Sequence, residues 1–299
     1  MISGVVFLDK PLGWTSRRAV NEIVRLFSKK GEKRIKAGHT GTLDPLATGM
    51  LPILLGEATR FASLGLQAEK AYQVTFDLSY QTDTLDMEGD VTARYEGQVD
   101  EKHLRNVLAA FAGEQQQTPP AYSAIRVDGK RAHALARNGE APDMQPRAIH
   151  IYELRLISFR FPVVSLDVHC SKGAYIRSLA RDVGEQLGMG GCVTALRRLS
   201  IGGWSQSMMI TMEALAEKRE KCILPLSEWL RDLPDIRLDD SHARRFLQGQ
   251  RLQLSEKDEG LVKVFHDDIL LGTGEIKPGQ TRMVLHPAKI LPSVQGMLL

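Results

Sequence analysis

Apolar positions follow two spacings along this chain, and each spacing predicts a different element. The run Val5-Val6-Phe7-Leu8 predicts a buried strand, closed by the turn Lys10-Pro11-Leu12-Gly13. Thr15 or Ser16 then caps a helix whose apolar stripe is Val20, Ile23, Val24 and Phe27. After a charged loop, residues 71–78 and 90–95 read as strands, and Asp100 caps a helix through Leu104, Val107, Leu108 and Phe111 that stops at Gly113. Residues 115–120 read as a polar connection ending in proline. Residues 123–127 suggest a strand with a tight turn at Asp128-Gly129, and 149–161 and 163–170 suggest two strands split by Pro162. Helical spacing returns at 175–187, through Ile176, Leu179, Val183 and Leu187, and ends at Gly188; a strand follows at 193–199.

Strands and helices alternate without the regular beat of a parallel doubly wound sheet, so the expected class is α+β, on a mixed, mostly antiparallel sheet. The pattern changes after Trp229. Asp232-Leu233-Pro234-Asp235 reads as a linker, followed by a helix near 241–247 and short strands at 261–265 and 269–271 punctuated by glycine. The expected organisation is a domain at 1–231 and a small β-rich module at 236–299. No internal repeat is visible.

Composition narrows the class without naming a function. With 299 residues, 43% hydrophobic and 25% charged, the chain is long enough for a substantial core and is neither disordered nor fibrous. A net charge of +3 neither requires nor excludes a polyanionic partner. Cys170, Cys192 and Cys222 are odd in number and lack CxxC spacing, which fits a reducing cytoplasm better than a disulfide framework or a zinc site. The apolar run at 5–8 is too short for a signal-peptide core, and none reaches a membrane span, so a soluble protein is expected.

The local signal is stronger. Lys29, Lys30, Lys33, Arg34 and Lys36 crowd together with only Glu32 opposing them, and directly downstream comes Gly38-His39-Thr40-Gly41-Thr42-Leu43-Asp44-Pro45-Leu46-Ala47-Thr48-Gly49. A basic run alone is ordinarily a solvated loop. Beside it, however, three glycines let a backbone approach a ligand closely, and three threonines offer hydroxyls. No lysine follows the glycines as a phosphate-gripping loop requires, and His39 and Asp44 have no second His or Cys cluster nearby to complete a metal site. From the residues alone, His39 is as well read as a structural hydrogen-bonder and Asp44 as a turn cap, although Pro45 withholds one N–H that would tie the carboxylate down.

This stretch closely resembles the catalytic motif of the bacterial tRNA pseudouridine-55 synthases of the TruB type, with Asp44 at the position of the family's essential aspartate. The likeness continues in order through Leu8-Asp9-Lys10-Pro11 with Thr15-Ser16, Lys70-Ala71-Tyr72, Thr82-Asp83-Thr84, Pro119-Pro120-Ala121-Tyr122-Ser123-Ala124, Gly173-Ala174-Tyr175-Ile176-Arg177 and Leu196-Arg197-Arg198. It departs at Ser79, Arg126, His133 and Ala174, where Gly, Lys, Tyr and Thr are usual, and at none of the presumed reacting groups.

The resemblance implies a pseudouridine-synthase-like domain with an RNA-binding insertion around 115–145 and a PUA-like module at 236–299; residues 115–145, being long and polar, are also the candidate segment to order on binding. It implies isomerisation of uridine 55 in the tRNA T loop, with the T-arm stem-loop as partner. No cofactor or metal would be needed, because the reaction neither gains nor loses atoms or electrons; a cytoplasmic monomer without an obligate protein partner is expected. Asp44 would act on the everted nucleotide as nucleophile or as base, two routes the residues leave open. Arg177 would pair with it through a planar fork that lysine does not reproduce. Tyr72 would stack on the uracil, Leu196 would wall the pocket, Tyr175 would line it, and His39 would fill the position the base vacates. Lys10, Lys33, Arg34, Lys36, Arg126, Lys130 and Arg131 would contact the RNA backbone. The competing expectation is a tRNA-folding chaperone in which catalysis is secondary.

Overall fold

The structure, a computed structural model, describes residues 2–28, 31, 34–127, 129–254 and 258–298. In chain order it begins with β1 (Gly4–Lys10), α1 (Ser16–Phe27), β2 (Ala37–His39), β3 (Ala47–Leu55), a 3₁₀ turn at Gly56–Phe61 and α2 (Ala62–Gln67). β4 (Lys70–Asp77), β5 (Tyr80–Thr82), β6 (Val91–Arg94), α3 (Glu101–Ala110) and β7 (Gly113–Gln117) come next. Then follow β8 (Arg126–Val127), β9 (Lys130–Arg131), α4 (Ala132–Arg137), β10 (Arg147–Arg160), β11 (Val163–Cys170), α5 (Ile176–Gln186) and β12 (Cys192–Ile201). The remainder is α6 (Met212–Lys218), α7 (Leu226–Trp229), β13 (Asp235–Arg237), α8 (Asp240–Leu247), β14 (Leu252–Leu254), β15 (Gly260–His266), β16 (Ile269–Pro278), β17 (Met283–Ile290) and α9 (Pro292–Leu298).

The large sheet runs β1-β3-β12-β4-β11-β10-β7, with β2 also on β3. Its named pairings are antiparallel except β3 with β12, which run parallel through Leu196–Ala47, Arg197–Thr48 and Arg198–Gly49. The class is therefore the expected α+β on a mixed, mostly antiparallel sheet. β1 and β3 are apolar at successive positions because both of their faces are covered. Val6, Leu8, Leu51 and Ile53 join a core beneath α1 and α5, while Val5, Phe7, Met50 and Leu54 point the other way into a second core.

That second core is shared. Trp204 and Trp229 stack in it with ring centroids 4.4 Å apart, and it continues into Ile236, Phe246, Val264 and Leu285 of the C-terminal sheet, ordered β13-β15-β16-β17-β14. The C-terminal sheet is thus anchored to the back of the large one, away from the core that holds Leu43, Tyr72 and Leu196.

Two expectations need correction. Residues 115–120 are not simply a connection, because Gln115, Gln116 and Gln117 belong to edge strand β7, which pairs with Arg147–Ile149 of β10. An edge strand needs only its backbone to join, so its side chains carry no apolar signal. The strand expected at 123–127 shrinks to β8, a two-residue partner of β9.

Candidate active site

The loop at 40–46 leaves β2 and enters β3 beside the parallel seam, and the N-terminal segment clamps it. Ser16 Oγ accepts from the Leu43 N–H (2.8 Å) and donates to the Leu43 carbonyl (2.9 Å), and the Gly13 N–H donates to the Pro45 carbonyl (2.8 Å). At the seam, Gly49 has φ +96°, and a Cβ there would lie 2.3 Å from the Arg198 carbonyl oxygen, so β3 and β12 approach this closely only around a glycine. Arg198 is 1% exposed; its Nε donates to the Met50 carbonyl (2.7 Å) and a terminal nitrogen donates to the Gly41 carbonyl (3.1 Å), which ties the loop to β3.

Asp44 projects from this loop into a cleft, its side chain 34% exposed, with Arg177 Nε 2.9 Å from Oδ2. Arg177 comes from the first turn of α5, and that turn is set by Gln117. The Gln117 side chain accepts from the Tyr175 N–H (2.8 Å) and donates to the Tyr175 carbonyl (3.1 Å). The two terminal nitrogens of the buried guanidinium donate to the Thr84 (2.7 Å) and Tyr122 (2.9 Å) carbonyls. A second carboxylate, buried Asp86, lies 3.6 Å from Nε and accepts from Thr84 Oγ1 (2.7 Å) and the Glu88 N–H (3.1 Å). One cation thus fastens four chain segments and presents one carboxylate to solvent.

Two cavities meet at Asp44. The smaller, about 280 Å³, is walled by Tyr72, Leu196, Tyr175, Lys70 and Arg198, and its floor is apolar enough for a planar ring. The larger, about 440 Å³, is lined by His39, Arg17, Arg131, Arg137 and Arg177 against Asp44, Asp86 and Glu88, so the balance of its charge is slightly basic. Burial pushes the Tyr72 phenol above its ordinary range, so it is neutral, while Arg198 beside it pulls the other way. Burial, then Arg198 and Arg17, lowers the His39 imidazole, so it enters the cleft uncharged at neutral pH.

Three family models cover nearly the whole chain: TruB family pseudouridylate synthase (N terminal domain) over residues 25–176, tRNA pseudouridylate synthase B C-terminal domain over 177–233, and Pseudouridine synthase II TruB, C-terminal over 234–288. A tRNA pseudouridine synthase B from Burkholderia mallei (strain NCTC 10247) is 41% identical, with 97% of each chain covered. One from Aquifex aeolicus (strain VF5) is 40% identical, covering 97% of this chain and all of that one. The chain belongs to the TruB family of pseudouridylate synthases. It is therefore an isomerase.

Among solved structures, a Cbf5-Nop10-Gar1 complex matches at TM-score 0.72 and 27% identity, covering 96% of this chain and 84% of that one. The fold also matches an H/ACA RNP bound to a substrate RNA containing 2′-deoxyuridine, at TM-score 0.74 and 24% identity over 98% and 86% of the two chains. The first two TruB models abut at residues 176 and 177, inside the first turn of α5, so Asp44 and Arg177 come from different models and meet only in the fold.

Of the residues expected at a TruB site, Asp44, His39, Tyr72, Tyr175, Arg177 and Leu196 all line the two cavities. The planar fork is corrected: Arg177 reaches Asp44 through Nε, its other nitrogens being spent on backbone carbonyls. Lys10 is also corrected as a contact to RNA. It is 0% exposed, and its ammonium donates to the carbonyls of Trp14 (2.6 Å), Pro11 (3.1 Å) and Pro45 (3.4 Å), so it braces the loop from within. Burial lowers its pKa to about 8, partly offset by Asp44. Arg34, Lys36, Arg126, Lys130 and Arg131 are exposed; Lys33 lies outside the described residues.

Sequence reasoning gave no role to Arg198, Asp86 or Lys70. Arg198 had a usable signal, since a strand places Leu196 and Arg198 on one face. Asp86 had none beyond its nearness to Thr82-Asp83-Thr84, because what makes it part of the site is burial beside an arginine ninety residues away.

Proposed function

We propose that this protein isomerises uridine 55 of the tRNA T loop to pseudouridine in the cytoplasm, acting as a monomer on the T-arm stem-loop. The observation that carries the reading is a half-exposed carboxylate, held by a buried guanidinium, at the junction of a ring-sized cavity and a basic one. The N1–C1′ bond breaks, a C5–C1′ bond forms, and the proton lost from C5 leaves N1 protonated in the product. Asp44 attacks C1′ or takes the C2′ proton, and Arg177 Nε, 2.9 Å from Oδ2, orients the carboxylate for either role. Tyr72 stacks on the freed uracil and lets it turn in its plane, Leu196 and Tyr175 confine it, and neutral His39 occupies the place the base has left.

Arg34, Lys36, Arg126, Lys130 and Arg131 hold phosphates and set the register of the stem. In this reading residues 1–231 carry the chemistry, 115–145 order on the RNA, and 236–299 add contacts elsewhere on the tRNA. A chaperone that only holds RNA has no use for an ion-paired carboxylate, since desolvating that pair is unfavourable.

Because the product has the mass of the substrate, the test is carbodiimide mapping of unmodified tRNA. Wild type should produce one new adduct, in the T loop, while Asp44→Asn should bind tRNA and produce none. Turnover by Asp44→Asn, or a modified uridine outside the T loop, would refute the assignment.

A further inference from the structure

The two cavities at Asp44 share few side chains: Thr42, Leu43, Asp44, Ser123, Ala124 and Arg177 line both. In a nucleotide the sugar is what joins base to backbone. With the base in the ring-sized cavity and phosphates in the basic one, the sugar lies against this shared set, as Asp44 acting at C1′ or C2′ also requires.

Among the polar members, every nitrogen of Arg177 already has a partner, Asp44 reacts, and Thr42 is exposed and can be solvated by water. Ser123 differs from all three. It is 4% exposed and its hydroxyl makes no hydrogen bond of ordinary geometry among the described residues, the Tyr175 phenol being the polar neighbour close enough to interact with it. A buried hydroxyl left unsatisfied is unfavourable, and native folds seldom retain one without a use. Its position is also set by its neighbours: the Tyr122 carbonyl accepts from Arg177, and the Ser123 carbonyl accepts from the His133 N–H (3.1 Å) and faces His133 Nδ1 (2.9 Å).

Resting on the reading of the site given above, we propose that the Ser123 hydroxyl binds the ribose 2′-hydroxyl of the everted uridine and holds the sugar against Asp44. Within an RNA chain the 2′-hydroxyl is the one ribose oxygen that both donates and accepts, which matches a neutral hydroxyl. The anionic phosphate oxygens are matched instead by Arg17, Arg131 and Arg137 in the basic cavity. The contact also makes the sugar itself a point of discrimination between RNA and DNA.

The test is a binding cycle on unmodified T-arm hairpins carrying either uridine or 2′-deoxyuridine at position 55. It is run in the Asp44→Asn background so that no product forms, with the binding-competent fraction titrated so that unfolded protein does not enter the Kd. Adding Ser123→Ala should weaken the uridine hairpin about three- to tenfold, the range for one buried hydrogen bond, and the deoxyuridine hairpin by less than about twofold. Equal loss on both hairpins would assign the hydroxyl to a phosphate, the base or the fold, and no loss on the uridine hairpin would remove it from the site. Either outcome overturns the proposal. Conversion of the uridine hairpin by the wild-type chain is scored separately, so failure of the Ser123 contact remains distinct from failure of the isomerase reading.

Discussion

Replacing Arg177 by lysine keeps the charge and removes the geometry, which makes it the sharpest test of how Asp44 is held. The guanidinium makes three short contacts, to Asp44 Oδ2 (2.9 Å) and to the Thr84 (2.7 Å) and Tyr122 (2.9 Å) carbonyls, from a side chain 5% exposed. These point in different directions from three nitrogens, and a single ammonium one atom shorter in reach serves at most one or two of them. Losing one charge-assisted hydrogen bond of about 1.5–3 kcal/mol at Asp44 corresponds to about 10- to 150-fold in single-turnover rate. The abandoned carbonyls add a separate loss of thermal stability. Affinity for the hairpin should change by less than about threefold, because a residue this deep makes no phosphate contact and contributes little to the salt-dependent term. The assay is single-turnover conversion at saturating enzyme with Kd measured in parallel. A variant within a factor of about three of wild type in rate would show that charge alone is sufficient and refute the positioning argument.

Lys10→Met should leave the slope of log K against log salt unchanged while slowing turnover, since its ammonium is spent on loop carbonyls; Lys130→Ala and Arg131→Ala, both exposed, should each lower that slope by about one. Asp86→Ala leaves Nε of Arg177 with Asp44 as its one ion-pair partner among the described residues, and removes the acceptor for Thr84 Oγ1 and the Glu88 N–H; a rate loss of about tenfold or more with Kd nearly unchanged is expected from single-turnover and filter-binding measurements. Trp229→Ala, at a side chain 1% exposed that stacks on Trp204 and donates from Nε1 to the Phe61 carbonyl (3.1 Å), should destabilise folding by about 3–5 kcal/mol in denaturant titrations, with the turnover of folded protein retained.

The shared core makes the C-terminal module more than an appendage. Ile236, Phe246, Val264 and Leu285 pack in one cluster with Phe7, Met50, Trp204 and Trp229, so removing them exposes the back of β1 and β3, and β3 is the strand that the loop bearing Asp44 enters. Periodicity reports that a position is apolar and is silent about which neighbour covers it. For the same reason β3 escaped notice: its sequence Ala47–Leu55 begins inside the motif, carries Gly49 and Pro52, and reads as loop until β12 and β1 flank it.

The site divides along the same line. Asp44, His39, Tyr72, Tyr175, Arg177 and Leu196 could be named because each sits in a short block that resembles a TruB motif; read alone, His39 and Asp44 pass equally for a structural hydrogen-bonder and a turn cap. Asp86, Arg198 and Ser123 could be given no role, since each acquires its chemistry from burial, and burial is set by pairings such as Arg198 with Gly49 and Tyr72 that join segments far apart in the chain. Lys10 shows the converse: a lysine at the end of a strand reads as a surface cation until three carbonyls converge on its ammonium. A motif thus points to the groups that line the two cavities, whereas the groups that hold them in place emerge only when backbone carbonyls and buried charges are accounted for one by one.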